Sequence, residues 1–382
     1  MAHRPVRAAV FVPLLCGLIL APLATVRAET LGVFAIRNVA VDATAETAAA
    51  ARGEALAAGQ RQALARLFNR LALRSAMERL PVLDDAEVTE LVQDFEIQEE
   101  KTSPVRYLAT LTIRFKPDDV RALLRGAGVP FAETLSKPVL VLPVYRAAGT
   151  YILWDDPNPW REAWANLPPR DALVPLIVPL GDLADIADIS AEQAVKSGNA
   201  RLRVIAARYG AADTLVAVAS LGLDPVNQRP TLHVSVTRFG TNAGERTTVE
   251  SYTGDSMETL GQLMASAAEA VATKVEELWK RDNLLRFDRE DRLAAVVPLT
   301  GLSDWLEVRR RLAGVAFVQR SELVYLSRRE ARVVLRYIGD ETQLRLALAQ
   351  SDLTLIRDPT SWFLRLGDRG GGEAAQTPPV NE

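Results

Sequence analysis

The side chains best suited to binding chemistry are concentrated in one acidic, proline-rich segment of the chain, which contains the sequence WDDPNPW. Asp155 and Asp156 can offer carboxylate oxygens to a calcium ion or to a positively charged partner. Their spacing is not that of an EF-hand, and adjacent side chains of an extended loop point in different directions, so we expect no metal site. The candidate ligand-binding or partner-binding residues are Trp154, Asp155, Asp156, Asn158, Trp160 and Trp164.

The tryptophans of this segment have two interpretations that are compatible with each other. Trp160 and Trp164 are four residues apart, a spacing that would pack one face of a short helix onto a sheet. Tryptophan is also a common anchor in protein interfaces and in clefts for sugars or peptides. The sequence therefore predicts either a packing role or a binding role, or both.

Other residue types used in catalysis are scarce. His233 is the only histidine after residue 28, and the alternation in TLHVSVTRF puts it on the solvent-facing side of a strand. A zinc site with several histidine ligands cannot form in such a chain, and a Ser-His-Asp triad would depend on His233 alone. The only cysteine is Cys16, and the sequence has neither a P-loop nor a dinucleotide-binding glycine pattern. We therefore expect no cofactor. If the chain is cleaved after Ala28, it contains no cysteine, and we then expect no cysteine chemistry.

The first 28 residues have the parts of a secretory signal peptide. A basic start precedes the apolar run Ala8–Ala24, and Val26-Arg27-Ala28 has the small-residue spacing of a signal peptidase site. The run is shorter than the ~20 residues that span a bilayer comfortably. We predict a signal peptide at 1–28 and an exported, periplasmic protein, with an uncleaved inner-membrane anchor as the alternative. Cleavage would change the net charge from −3 to −6, because it removes three arginines and no acidic residue.

The composition is that of an ordinary globular protein. The 382 residues suffice for two or three domains, and 24% of them are charged and 48% hydrophobic. Lysine and arginine total 45 against 48 acidic residues, without the clustered positive charge that binding to phosphates requires. We therefore expect no nucleic-acid partner.

Hydrophobic periodicity predicts an N-terminal β-α-α-β-β-α domain over residues 29–129. Thr44 is placed to cap its long first helix. Arg66 and Arg70 lie opposite the apolar stripe of that helix, which indicates a solvated face. The predicted strands are 33–41, 94–101 and 105–115, and the predicted helices are 45–73, 84–92 and 118–126.

A central α/β domain is predicted over residues 137–285, after a linker at 130–137. The apolar run Val139–Leu142 is typical of a strand that is buried on both faces of a sheet. Asp182, Asp185 and Asp188 are three residues apart and indicate a solvated helix face. Further strands are predicted at 173–180, 214–221, 231–239 and 246–252, and a long helix at 257–281.

A C-terminal domain is predicted over residues 290–366. Two strand-helix-strand halves in the order β-α-β-β-α-β predict a ferredoxin-like module, with Ser303 capping its first helix. Residues 367–382 contain three consecutive glycines and two consecutive prolines, which predicts a disordered tail. The expected fold class is therefore α+β and α/β multidomain.

Three sequence patterns resemble those of exported bacterial proteins grouped as domain-of-unknown-function family 2066 (DUF2066). They are NVAVDATAETAAAARGEALAAGQRQALARLFNRL, LPVYRAAGTYILWDDPNPWREAW and LVPLIVPLGDL. The resemblance extends from Phe34 to Leu366, and WDDPNPW is its most specific part. It implies a location in the Gram-negative envelope and transfers no catalytic residues. The order of the first two domains is also similar to that of a flagellar H-ring assembly protein.

Three functional hypotheses follow from these features. The first is a non-enzymatic periplasmic protein that binds another envelope component, a protein or a polymer, through its central domain. The second is a hydrolase of envelope polymers that uses carboxylates such as Asp155 or Asp156. The third is a ring-forming structural component, because exposed strand edges of small sheets can associate into homo-oligomers.

Overall fold

Three β-sheets covered by helices make up the part of the chain that the structure describes. The structure is a computed structural model, and it describes residues 32–196, 199–240, 246–285, 287 and 289–367. The mixed α and β fold class predicted from the sequence is confirmed. The predicted signal peptide and, apart from Gly367, the predicted tail lie outside these residues. Within them, no helix combines the length and the apolar character needed to cross a membrane.

The first sheet has the strand order β1-β3-β2, with both pairs antiparallel. Helix α1 approaches this sheet closely, because a Cβ atom at Gly59 would lie 2.7 Å from Cγ1 of Val41 and 2.8 Å from Cδ1 of Leu111. The β-α-α-β-β-α order is as predicted. The elements are β1 (Ala35–Thr44), α1 (Ala48–Leu71), α2 (Asp85–Leu91), β2 (Val92–Thr102), β3 (Arg106–Phe115) and α3 (Pro117–Gly126).

The predicted cap of α1 was wrong by three residues. Thr44 belongs to β1 and pairs with Arg106 of β3. The helix instead begins after Thr47, whose hydroxyl accepts a hydrogen bond of 3.1 Å from the backbone N–H of Ala50. Thr44 is held in an extended conformation by the antiparallel pairing, which a local capping pattern does not show.

The central sheet has the strand order β5-β4-β7-β8-β9, with β6 beside the start of β4. Strand β4 is parallel to β6 and β7, and the β7-β8-β9 pairs are antiparallel. The elements are β4 (Val139–Ala147), β5 (Thr150–Ile152), α4 (Pro159–Ala165), β6 (Leu176–Ile177), α5 (Leu183–Asp188), α6 (Ala191–Lys196), α7 (Asn199–Arg208), β7 (Asp213–Leu223), β8 (Pro230–Gly240), β9 (Arg246–Thr253) and α8 (Leu260–Asp282).

Strand β4 is buried on both faces, as its apolar run predicts. Val139 and Val141 contact the layer of α4 and α8, whereas Leu140 and Leu142 contact the layer that contains α6 and α7. The predicted strand at 173–180 is reduced to the two residues of β6. Prolines at 175 and 179 have no N–H group to donate to a ladder, so the pairing cannot extend.

The third sheet has the strand order β11-β12-β10-β14-β13. The predicted β-α-β-β-α-β order is present. The extended chain predicted at 353–356 and 362–366 forms two strands, β13 and β14, and β14 lies between β10 and β13 and parallel to β10. Gly301, not Ser303, is the N-cap of α9. The elements are β10 (Glu290–Pro298), α9 (Leu302–Leu312), β11 (Val318–Leu326), β12 (Glu330–Ile338), α10 (Glu341–Gln350), β13 (Leu353–Arg357) and β14 (Trp362–Leu366).

Arg70 joins the first sheet to the central region, and its predicted solvated position was wrong. Its side chain is buried, and it donates hydrogen bonds to the carbonyl oxygen of Ala35 at 2.8 Å and to Oδ1 of Asp171 at 3.0 Å. Arg66 donates to the other oxygen, Oδ2, of Asp171 at 2.6 Å. Because Asp171 is 101 residues away from Arg70 along the chain, the helical pattern alone could not reveal this pair.

The connection predicted as a linker at 130–137 is packed between helices. Trp279 of α8 donates a hydrogen bond of 2.7 Å to the carbonyl oxygen of Thr134, and the buried Glu133 pairs with Arg121 at 3.0 Å. The described residues from Val33 onward form one compact unit. The predicted limits of the three domains inside that unit stay a prediction.

Substitution of Arg70 by methionine, which keeps the side-chain length and removes the charge, should lower the free energy of unfolding by about 3 kcal/mol. The loss follows because the carbonyl of Ala35 and one oxygen of Asp171 lose a buried donor. Urea unfolding followed by circular dichroism measures the change. The matched control is Arg61→Met, whose exposed pair with Asp85 should contribute less than about 1 kcal/mol. Equal effects of both substitutions would contradict the assigned role of Arg70.

Glu276→Gln should change how stability depends on pH. Burial raises the pKa of Glu276 above its usual 4.5, against the opposing effects of Lys280, the N–H of Leu173 and Arg170. At pH values between the pKa of Glu276 in the unfolded chain and its higher pKa in the folded protein, only the folded protein keeps Glu276 protonated. The stability that this protonation contributes is lost as the pH rises through that range. Relative to wild type, the glutamine variant should gain stability with rising pH, by at most about 1.4 kcal/mol per pH unit. The exposed Glu192→Gln is the control, and parallel curves for wild type and Glu276→Gln would refute the assignment.

Candidate partner-binding surface and cavity of the central sheet

Asn158 holds the acidic loop that follows β5. Its side chain is fully buried, and its Nδ2 atom donates to the carbonyl oxygens of Leu153 at 3.2 Å and Ile152 at 3.3 Å. Its Oδ1 atom accepts from the N–H of Arg161 at 2.9 Å, which caps α4. Its Nδ2 atom also lies 3.4 Å from the carbonyl oxygen of Pro143 on β4, so this side chain ties the loop to the central sheet as well as holding its conformation.

Trp160 and Trp164 pack inside the protein, beneath α8. Their rings meet edge to face with centroids 5.8 Å apart, and both are buried. Nε1 of Trp160 donates to the carbonyl oxygen of Ala217 at 2.9 Å. Nε1 of Trp164 has no hydrogen-bond partner among the residues that the structure describes. The packing interpretation thus describes both side chains, and neither offers a surface to a partner in this conformation.

Trp154 is half-buried and fixes the loop against the residues on both sides of α5. Its Nε1 atom donates to the carbonyl oxygen of Ile189 at 2.7 Å. A Cβ atom at Gly181 would lie 3.2 Å from Cε3 of Trp154 and 2.6 Å from Nη1 of Arg161. The left-handed φ of +79° at Gly181 and this close approach both require glycine. The loop and the 180–183 segment therefore lie side by side.

Three large apolar side chains next to this loop point into solvent. Leu180, Leu183 and Ile186 are 83%, 86% and 49% exposed. Asp155 and Asp156 are also exposed, and Asp156 accepts a hydrogen bond of 2.8 Å from Arg161. We call these five residues the Leu183 surface: Leu180, Leu183, Ile186, Asp155 and Asp156. The sequence signal for this surface is the LVPLIVPLGDL run, which was predicted as a strand at 173–180. Only Leu176–Ile177 of it forms a strand, and Leu180 and Leu183 at its end are exposed.

Helix α5 of this surface is held by aspartates that the sequence predicted to be solvated. Asp185 is fully buried, and its Oδ2 atom accepts from the hydroxyl of Tyr209 at 2.7 Å and the N–H of Gly181 at 2.9 Å. Asp182 caps the helix by accepting from two backbone N–H groups. The solvated-face prediction was therefore wrong for Asp185, because its carboxylate satisfies local backbone and hydroxyl donors that periodicity does not show.

A cavity of about 450 Å³ lies on the other face of the central sheet, towards the amino ends of β4 and β7. Its walls come from β7, β8, β9, α8 and α10. Two ion pairs lie within its lining: Arg238 with Asp213 at 2.5 Å, and Lys274 with Glu250. Lys137 also lines the cavity, and its partner at 2.5 Å, Asp352, lies outside the lining. The guanidinium carbon of Arg238 also lies 5.7 Å from the ring centroid of Trp279. None of the six candidate site residues lines this cavity.

His233 lies on the exposed side of β8, where its alternation places it. Its Nδ1 atom is 2.8 Å from Oγ of Ser251 on β9. Across the described ranges, no three His, Cys, Asp or Glu side chains come together in a way that could hold a metal ion.

Comparisons with known proteins give one partial match. The family described as "Domain of unknown function (DUF8605)" matches residues 38–133, which is the region of the first sheet and its helices. The assignment to DUF2066 was therefore wrong, and the envelope location that this assignment implied loses that support. Neither the curated proteins nor the solved structures gave a match.

Substitution by phenylalanine should lower the free energy of unfolding more at Trp160 than at Trp164. Trp160→Phe removes the hydrogen bond to Ala217, and we expect it to lower the free energy of unfolding by about 2 kcal/mol. Trp164→Phe also removes buried volume, but it removes an unsatisfied donor as well, so we expect a change within about 1 kcal/mol. Urea unfolding of the two variants tests this order, and a larger loss for Trp164→Phe would contradict it.

Proposed function

We propose that this chain is an exported, non-enzymatic binding component of the bacterial envelope, which holds a partner protein through the Leu183 surface. The observation that carries the proposal is the exposure of Leu180 and Leu183, on either side of a segment whose Gly181 lies against Trp154 and Arg161, the partner of Asp156. Contiguous apolar side chains with a polar rim are typical of protein interaction sites. The signal-peptide pattern of residues 1–28 supports export.

Charge indicates what kind of partner this surface fits. Five aspartates lie in the acidic loop and in or beside α5. They are Asp155, Asp156, Asp182, Asp185 and Asp188. Asp185 is fully buried, which leaves four carboxylates at the surface. Among the described contacts two guanidinium groups pair with these aspartates: Arg161 with Asp156, and Arg208 with Asp182, Asp185 and Asp188. The partner surface should therefore combine apolar side chains with a basic rim, since complementary charge favours encounter and register.

The Leu183 surface is preorganised for binding. Buried hydrogen bonds of Asn158, Trp154 and Asp185 hold the loop and α5 from beneath. Because these side chains are already ordered, binding would cost little additional conformational entropy. This rigidity supports a docking role for the exposed leucines.

The ring-forming hypothesis rests on a different element. Strand β11 is an edge of the third sheet, and its Leu323, Val324 and Tyr325 are exposed. An edge of this kind can pair with another strand. The ring-forming hypothesis is the second candidate function, because no feature of this strand favours pairing with a second copy of this chain over pairing with another protein.

Photo-crosslinking in cells should separate these proposals. A benzoylphenylalanine at Leu183, at native expression, should give one discrete adduct with a protein other than this chain. Adding Leu180→Glu should lower the adduct yield roughly fivefold or more, because it places a charge in the apolar contact. The control probe at Val226, which is 90% exposed in the β7–β8 turn, should give no such adduct.

Two outcomes would count against the Leu183 surface. A probe at Leu183 that gives no adduct, or the same products as the probe at Val226, would overturn the docking proposal. An adduct of twice the chain mass from the Leu183 probe would show that this surface contacts a second copy, and it would also overturn the proposal of a different partner protein. The same self-adduct from a probe at the exposed Val324 of β11 would favour the ring-forming alternative. Unchanged thermal unfolding of Leu180→Glu would show that the substitution acts on binding, since Leu180 is exposed.

A further inference from the structure

We propose that the cavity between the central sheet, α8 and α10 is a binding site for a small, uncharged amphiphile, meaning an alkyl chain that carries a neutral hydrogen-bonding group. This site is separate from the Leu183 surface. Leu183 belongs to the layer of α5, α6 and α7, whereas the cavity is covered by α8 on the opposite face of the sheet.

The walls of the cavity are apolar on three sides. Helix α8 contributes Val271, Val275 and Leu278, which follow one another at steps of four and three residues and so share one helix face. The sheet and α10 face this helix. They contribute the apolar residues Leu215, Val234, Val236, Leu346 and Ala349. An alkyl chain would thus contact apolar atoms on each side.

The cavity is partly open to solvent, and its volume of about 450 Å³ falls within the range of small-molecule pockets. Apolar lining atoms that face this space lack the dispersion contacts that a packed neighbour would give. A ligand that filled the space would restore those contacts.

The charges at the lining favour a neutral ligand. Six charged residues line the cavity, three of each sign, so they offer no net charge to an ion. Arg238 and Lys274 are already paired with Asp213 and Glu250. A charged head group would have to break one of these ion pairs, or it would lose hydration in the cavity without gaining a partner of opposite charge. Both cost free energy. The six residues are Lys137, Asp213, Arg238, Glu250, Lys274 and Asp282.

Uncharged polar groups are also present at the lining. Thr248 of β9 and Thr342 of α10 bring hydroxyl groups, which can donate to and accept from a neutral head group. The amides of Gln343 and Gln350 are held by backbone groups: Gln350 accepts from the N–H of Lys137 at 2.7 Å, and Gln343 donates to the carbonyl oxygen of Leu284 at 3.3 Å. These bonds tie α10 to the central region and so keep the cavity closed on that side.

Isothermal titration of the full chain with three octyl compounds tests the ligand class. The probes are octyl glucoside, octanoate and octyltrimethylammonium, each below its micelle concentration. We expect octyl glucoside to bind at one site per chain, with the two ions at least tenfold weaker. No saturable binding of octyl glucoside, or equal or tighter binding of either ion, would overturn the proposal.

Filling the cavity should remove this binding. Ala349→Phe adds a ring on the cavity face of α10, and we expect at least a tenfold loss of affinity for octyl glucoside. The matched control, Arg345→Phe, adds the same ring on the exposed face of that helix and should bind as wild type does. If Ala349→Phe does not fold, Val236→Phe fills the same space from β8.

Each variant outcome has a defined meaning. Wild-type affinity in a folded cavity-filling variant, or an equal loss in Arg345→Phe, would overturn the assignment of the site. Crosslinking at Leu183 should be unaffected by Ala349→Phe, so failure of this inference is distinguishable from failure of the proposed partner surface.

Discussion

Helix α8 buries three polar side chains, Glu276, Trp279 and Lys280, on one part of its surface. The way α8 packs against the rest of the described chain depends on the hydrogen-bond partners of these three side chains. Glu276 accepts from the N–H of Leu173, Trp279 donates to the carbonyl oxygen of Thr134, and Lys280 donates to the carbonyl oxygens of Asn69 and Ala72. Burying such groups without partners costs several kcal/mol. Lys280 also donates to Glu277 of the same helix, but the other partners lie outside α8. They belong to the end of α1, to the connection at 130–137 and to Leu173 before β6.

This requirement explains why the connection at 130–137 is packed rather than solvated. Its Thr134 carbonyl satisfies Trp279, and its Glu133 is itself buried and paired with Arg121. Lys280 and Arg70 both hold the C-terminal end of α1 in place. Lys280 supplies positive charge to the terminal carbonyl groups of the helix, and Arg70 pairs with Asp171. Together they make the first sheet and the central region one packed unit.

The central sheet separates two different kinds of surface. On the face of α5, α6 and α7, aspartates and a buried asparagine are used to hold exposed leucines in place, which suits contact with a large partner. On the face of α8, the sheet and α10 leave a partly open cavity with apolar walls and paired charges, which suits a small neutral molecule. One buried strand, β4, supports both because its alternate side chains belong to the two layers.

The sequence by itself determined the mixed fold class, the double burial of β4, the order of elements in the outer modules and the exposed position of His233. These follow from local periodicity, which is a property of neighbouring residues. Only the tertiary structure decided that Arg70 and Asp185 are buried, that Thr47 caps α1, that Trp160 and Trp164 are internal, and that a cavity lies beside α10. Each of these depends on atoms brought together from residues distant in the chain or on hydrogen bonds whose partners hydrophobic periodicity does not specify.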